Sequence, residues 1–156
     1  MNNQEVFVNQ NRSAIAILPF LAAIVALGGL ADSIYLTVHH YTAEPVPCSI
    51  VAGCEQVLTS NYAEMFGIPT AAFGVAAYIL AFLLAILTAF GKTRMWMPFG
   101  ILVSIMAIFT GWLIYLQGFV IGAFCQFCLI SAATTFTLLI IFLVSRFVRP
   151  KIKSAL

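Results

Sequence analysis

Charge is what this chain has least of. Seven Lys or Arg and five Asp or Glu make up 8% of 156 residues, against about 25% in ordinary soluble domains. A chain so poor in charge does not make a soluble domain's surface, and the +2 balance is no argument for a nucleic-acid partner. Internal repeats, low-complexity tracts and a second domain are also lacking, and the later connections are only a few residues long. Histidine is limited to His39 and His40. Neighbours on a helix diverge by about 100°, so the two do not converge on a metal as spaced zinc ligands do. They are expected to be interfacial polar residues, with no metal bound.

Apolar residues dominate instead, at 63%. Crossing a hydrocarbon core takes about 20 helical residues, and four runs are long enough: Ser13 to Tyr41, Ile68 to Phe90, Trp96 to Phe119 and Phe124 to Val148. Lipid offers no partner to open backbone groups, so each run must be helical. The expected fold is an all-α integral membrane protein, a four-transmembrane-helix bundle. The first run is too long and too aromatic at its end for a secretory signal, whose apolar core spans about 7–15 residues.

All basic residues fall on one side of this arrangement. Arg12 precedes the first span, Lys92 and Arg94 join the second to the third, and Arg146, Arg149, Lys151 and Lys153 close the chain. By the positive-inside rule that side is cytoplasmic. The expected organisation is a cytoplasmic N-terminus over 1–12, a transmembrane domain over 13–148 with an outer loop at 42–67, and a basic cytoplasmic tail over 149–156.

The four cysteines then share the outer face: Cys48 and Cys54 in the loop, Cys125 and Cys128 at the mouth of the fourth span. Disulfides persist in a compartment such as the bacterial periplasm. Two close thiol pairs at one face favour redox chemistry over inert packing cysteines or a metal site. In the first turn of a helix, Cys125 would be favoured as a thiolate by the open N–H groups and the dipole. Cys128, about 4.5 Å deeper on the same face, would meet something dissolved in the membrane, for which a quinone is the natural two-electron acceptor.

The outer loop exceeds the ordinary length of about 12–15 residues. Pro45 and Pro47 should extend the chain before Cys48, and Val51, Cys54, Val57, Leu58, Tyr62 and Met65 recur at helical steps, predicting a short amphipathic helix that carries Cys54 inward. Thiol exchange gives an ordered relay. A partner thiol attacks the Cys48–Cys54 disulfide, Cys54 attacks Cys125, and Cys128 passes electrons to a quinone. Asp32, a carboxylate inside a span, is expected to face the bundle or a polar partner; a structural hydrogen bond is the favoured reading and a proton relay the alternative.

Cys48 and Cys54 with five residues between them, "VLTS" ending in Ser60, "FGIPTAAFG", and a C-x-x-C opening the last span together resemble the vitamin K epoxide reductase (VKOR) family. The resemblance runs from the first span to the last. It implies a thiol-oxidising, quinone-reducing enzyme of the bacterial inner membrane, serving disulfide-bond formation. A separate periplasmic thioredoxin-like (DsbA-like) protein is the implied partner, since no fused thioredoxin domain is present. Cys48 and Cys54 become the shuttle pair, Cys125 the thiol that exchanges with Cys54, and Cys128 the thiol at the quinone. Ser60 matches the family serine near the quinone. Thr70 stands where animal members have an asparagine and still offers a donor; Ala132 replaces a tyrosine. Ser60, Thr70, Phe73 and Phe124, with Phe127, are the candidate contacts for ubiquinone or menaquinone. A DsbB-like enzyme would place its C-x-x-C pair first, the opposite order; a redox-inert or metal-handling tetraspan protein is the remaining alternative.

Overall fold

The structure, a computed structural model, describes residues 3–44, 46–48 and 53–153. Pro45 and Val51 lie outside the described residues, as do the side chains of Arg12, Arg149, Lys151 and Lys153. Four helices carry the fold: α1 (Asn3–Thr42), α3 (Thr70–Ala89), α4 (Trp96–Tyr115) and α5 (Gln126–Lys153), with a one-turn α2 (Cys54–Leu58) in the loop. The stretches long and apolar enough to cross a membrane are Ile17–Thr42, Thr70–Ala89, Thr93–Ile121 and Gln126–Phe147. The protein is an all-α, four-span membrane protein. α1 packs on α3 and α5, and α4 closes the bundle against the same two helices.

Small residues set the helix spacing. Ala22, Ala23 and Ala26 of α1 and Ala81 and Ala85 of α3 are buried together, the close approach that drives association where lipid removes the hydrophobic incentive. Gly29 leaves room for the Tyr78 ring, into which any Cβ at that position would project. The Tyr78 hydroxyl then sits 2.8 Å from the Ser131 carbonyl, 2.9 Å from Thr134 Oγ1 and 2.8 Å from Thr135 Oγ1, tying α3 to α5. At the end away from the cysteines, Trp96 stacks on Phe99 with ring centroids 4.5 Å apart. Its indole N–H donates to Ser145 Oγ at 2.6 Å.

The expected loop helix is shorter than its apolar stripe. Among the described residues of the loop only Cys54–Leu58 is α-helical, and Cys54 and Val57 are its buried residues. Tyr62 and Met65 are exposed, because the chain turns into a two-stranded hairpin, Glu64–Met65 paired antiparallel with Ile68–Pro69. Its two turn residues, Phe66 (φ 58°) and Gly67 (φ 78°), both have positive φ, as a tight type I′ hairpin demands. The second span therefore begins at Thr70, after Pro69, rather than at Ile68. The third ends in a π-turn, Leu116–Ile121, and the fourth begins at Gln126, placing Cys125 before the helix instead of within its first turn.

Candidate functional site

The π-turn builds the seat of Cys125. Extra width per turn swings Gln117 into the bundle, where it is buried. Its backbone carbonyl accepts the Ala123 N–H at 3.0 Å, and its side-chain Oε1 accepts the Cys125 N–H at 3.0 Å. A single residue thus satisfies two N–H groups of an irregular segment, which buried backbone requires. Gly122, at φ +69°, makes the left-handed reversal between them. The sequence did signal Gln117, an amide in an otherwise apolar span, but nothing local connects it to a cysteine eight residues on.

Cys125 occupies the N-cap of α5: its carbonyl accepts the Leu129 N–H at 3.0 Å, and its Sγ lies 3.5 Å from the Cys128 backbone N–H, which donates to it. Side chains at this position satisfy the open donors of the first turn. The Cys125 thiol is shifted down to about 7, chiefly by a hydrogen bond from the Cys128 side chain. Burial opposes the shift, and backbone N–H donation from Cys128 and Phe127 adds to it. The shift is thus led by the Cys128 thiol, with the N–H groups of the first turn adding to it from the cap.

The loop brings the other pair to it. Cys48 and Cys54 form a disulfide with Cα atoms 6.2 Å apart, within the range such bonds need; Cys125 and Cys128 are free thiols. Cys54, Val57, Ala123 and Cys125 form one buried cluster, with Cys48 and Cys128 packed against it. Gly53 permits the approach. A Cβ built there would lie 2.8 Å from the Phe124 carbonyl oxygen and 2.9 Å from both Phe124 N and Ala123 Cβ, so α2 rests directly on the backbone leading into Cys125.

A cavity of about 290 Å³ opens beside Cys128, lined by residues of all four spans and the loop. Ser60, Thr70 and Phe73 line it, whereas Phe124 is not among its lining residues. Phe124 instead packs beside Gly118, where a Cβ would meet its ring at 3.3 Å, and Phe127 packs on Tyr35 in a tilted contact with centroids 5.0 Å apart. The donor expected of Thr70 is already committed, since its hydroxyl donates to the Ala63 carbonyl at 2.9 Å. Ser60 donates to the Val57 carbonyl at 2.7 Å. Both oxygens can still accept. Gln117 and Tyr62, which carry N–H and O–H groups, also line the cavity, and Ala132 leaves its wall flat where a tyrosine would intrude.

The histidines diverge as expected. His39 Nδ1 lies 3.3 Å from the Glu44 carbonyl, and His40 Nε2 lies 3.1 Å from Glu64 Oε1. Among the described residues no group of three or more His, Cys, Asp or Glu converges as a metal set.

Residues 20–143 match the model of the vitamin K epoxide reductase family.

Proposed function

The chain belongs to the vitamin K epoxide reductase family, a family of membrane oxidoreductases, and from that premise we propose that it is a thiol:quinone oxidoreductase. It reoxidises a periplasmic thioredoxin-like protein for disulfide-bond formation. The observation that carries the reading is the burial of Cys54 against Cys125 in one cluster, with Cys128 at the wall of an apolar cavity.

The residues divide the work by exposure. Cys48, only partly buried, is the sulfur a partner's thiolate reaches, and the released Cys54 is already inside. Cys54 attacks Cys125 Sγ, the bond between Cys125 and Cys128 breaks, and Cys128 leaves. The partner's second thiol closes the partner's own disulfide and releases Cys48, which then attacks Cys54, restoring the loop disulfide and freeing Cys125. Each step exchanges one S–S bond for another. A quinone, when bound, accepts the two electrons released as Cys125 and Cys128 close again, together with two protons. At about 290 Å³ the cavity stands at the lower edge of ligand sites, about 300–1,000 Å³, which suits a flat headgroup with its tail left in lipid. Ser60 and Thr70 offer lone pairs there to the hydroxyls of a reduced headgroup, Phe73 an apolar face, and Gln117 an amide. Phe124 acts from behind, holding the segment that seats Cys125.

The basic residues orient the protein with both termini in the cytoplasm and the cysteines outside, in a bacterial inner membrane. The transmembrane domain over 13–148 then carries the whole relay, between short cytoplasmic ends.

Quinone reduction by purified protein in detergent, driven by a small dithiol, tests this reading. Wild type should reduce ubiquinone or menaquinone analogues, Cys128→Ser should not, and Cys48→Ala should retain slow turnover with the small dithiol but none with a thioredoxin-like protein. Full activity of Cys128→Ser would sink the relay.

A further inference from the structure

Asp32 is the sole acidic residue within the four spans. Buried polar atoms ordinarily have partners, and a hydrogen bond is the expected reason for a carboxyl at this depth. Yet Oδ2 is buried with no hydrogen-bond partner among the described residues, so that expectation fails for this oxygen. What surrounds the carboxyl is more specific. Tyr35, one turn along the same face of α1, packs its ring on Phe127 at 5.0 Å, and Phe127 lies between Cys125 and Cys128. Ser33, Leu36 and His40 of α1 line the cavity and Asp32 does not. The carboxyl therefore lies on the stretch of α1 that packs against the start of α5, and is not among the residues lining the space in which an electron acceptor would sit.

We propose that Asp32 is the acid–base group of the Cys125–Cys128 pair, lending a proton to Cys128 when their disulfide opens and taking it back when it closes. The inference rests on the thiol relay proposed above. When Cys54 attacks Cys125, the Cys54–Cys125 bond forms, the Cys125–Cys128 bond breaks, and Cys128 departs with the electron pair. A thiolate leaving into an apolar wall is costly. Because Oδ2 has no partner within hydrogen-bond reach, the Asp32 carboxyl proton passes to Cys128 through one bridging water, yielding a thiol and a carboxylate. When the pair is reoxidised, the carboxylate removes that proton, the S–S bond re-forms, and two electrons leave for the acceptor. Asp32 ends each cycle as it began, and the loop thiols lose their protons to water.

Other titratable groups near this site are accounted for. Tyr35 and His39 continue the Asp32 face of α1, with ring centroids 4.3 Å apart. Tyr78, from α3, has its hydroxyl engaged with Ser131, Thr134 and Thr135 of α5. His40, on the cavity wall, pairs with Glu64. Cys125 and Cys128 are the groups presented from the start of α5.

The test follows thiol exchange without any quinone. Fully oxidised protein is mixed with a small dithiol, quenched with acid, and the loss of the Cys125–Cys128 disulfide is timed by mass spectrometry from pH 6 to 9. Positioned acid–base groups contribute about 10²–10⁴-fold. Asp32→Asn should therefore exchange at least about 100-fold more slowly at neutral pH, with the deficit narrowing as pH falls and solvent supplies the proton. Asp32→Glu should recover most of the rate. Asp32→Asn at the wild-type rate across this range, in protein with an unchanged melting temperature, overturns the proposal. A deficit that does not vary with pH and follows a lowered melting temperature also overturns it, because a structural role would account for it. Adding quinone to the same samples separates the two readings. Wild type that exchanges internally without reducing quinone loses its proposed acceptor while the Asp32 effect stands; wild type that never exchanges removes the relay and the role of Asp32 with it.

Discussion

Gly53→Ala should uncouple the two cysteine pairs while leaving each intact. Gly53 has an ordinary backbone conformation, φ −101° and ψ 7°, so alanine meets no torsional objection. The objection is spatial: the new methyl would lie 2.8 Å from the Phe124 carbonyl oxygen and 2.9 Å from Phe124 N. Optimal carbon contacts fall near 3.5–4.0 Å, and the obstructing atoms are backbone held by the Gln117 bonds. The loop must therefore withdraw by roughly 0.6–1 Å. A misplacement of about 1 Å can cost about 10²-fold in a reaction that depends on alignment, or about 2.7 kcal/mol in the barrier. Overpacking costs about 1–3 kcal/mol in stability, which a melting curve in detergent would register separately. The decisive assay is single-turnover exchange, in which protein with a reduced loop and an oxidised helix pair is quenched and the Cys54–Cys125 bond is timed by mass spectrometry. Reduction of the loop disulfide by a small dithiol should remain near the wild-type rate. Wild-type exchange in a folded Gly53→Ala protein would refute the view that this glycine sets the reach of Cys54.

Other outcomes follow from the same geometry. The Cys125 thiolate should titrate near pH 7, its population falling about tenfold per unit below that value, and Cys128→Ala should move the midpoint upward by removing the chief stabilising donor; ultraviolet thiolate absorbance, with Cys48 and Cys54 replaced by alanine, reads both. Gln117→Leu leaves the Cys125 N–H without its acceptor and should cost about 1–3 kcal/mol, measured by thermal melting, and slow the timed exchange as well. Tyr78→Phe removes the hydroxyl bridging α3 and α5 and should lower stability by about 0.5–1.5 kcal/mol without abolishing exchange. Ser145→Ala strands the buried Trp96 indole N–H and should destabilise by about 1–3 kcal/mol, visible as a lower melting temperature with exchange kinetics unchanged.

Long apolar runs made the four spans legible, because length and hydropathy are what a bilayer selects. The cysteine spacing, with "VLTS" and "FGIPTAAFG", made the family legible. Elements set by tertiary contact were hidden. The stripe from Cys54 to Met65 has helical periodicity, but burial ends after Val57 and a hairpin takes over. A π-turn leaves no mark in an apolar sequence, so hydropathy alone starts α5 too early and puts Cys125 inside the helix. Thr70 and Ser60 were visible as hydroxyls, but the loop carbonyls that claim their protons were not. Asp32 was conspicuous as a charge, while the missing partner of Oδ2 is a fact about space.

The unequal exposure of the loop disulfide has a consequence for electrical insulation. Cys54 is 1% exposed and Cys125 is fully buried, while Cys128 borders an apolar cavity. For the relay proposed here, a hydrophilic reductant in the surroundings has one ready terminal, Cys48, and only a slow shunt to the membrane-side thiols. Small polar thiols that enter midway do so far more slowly than through the loop. Selectivity then resides in a single contact, and whatever docks at Cys48 decides which electrons enter the membrane.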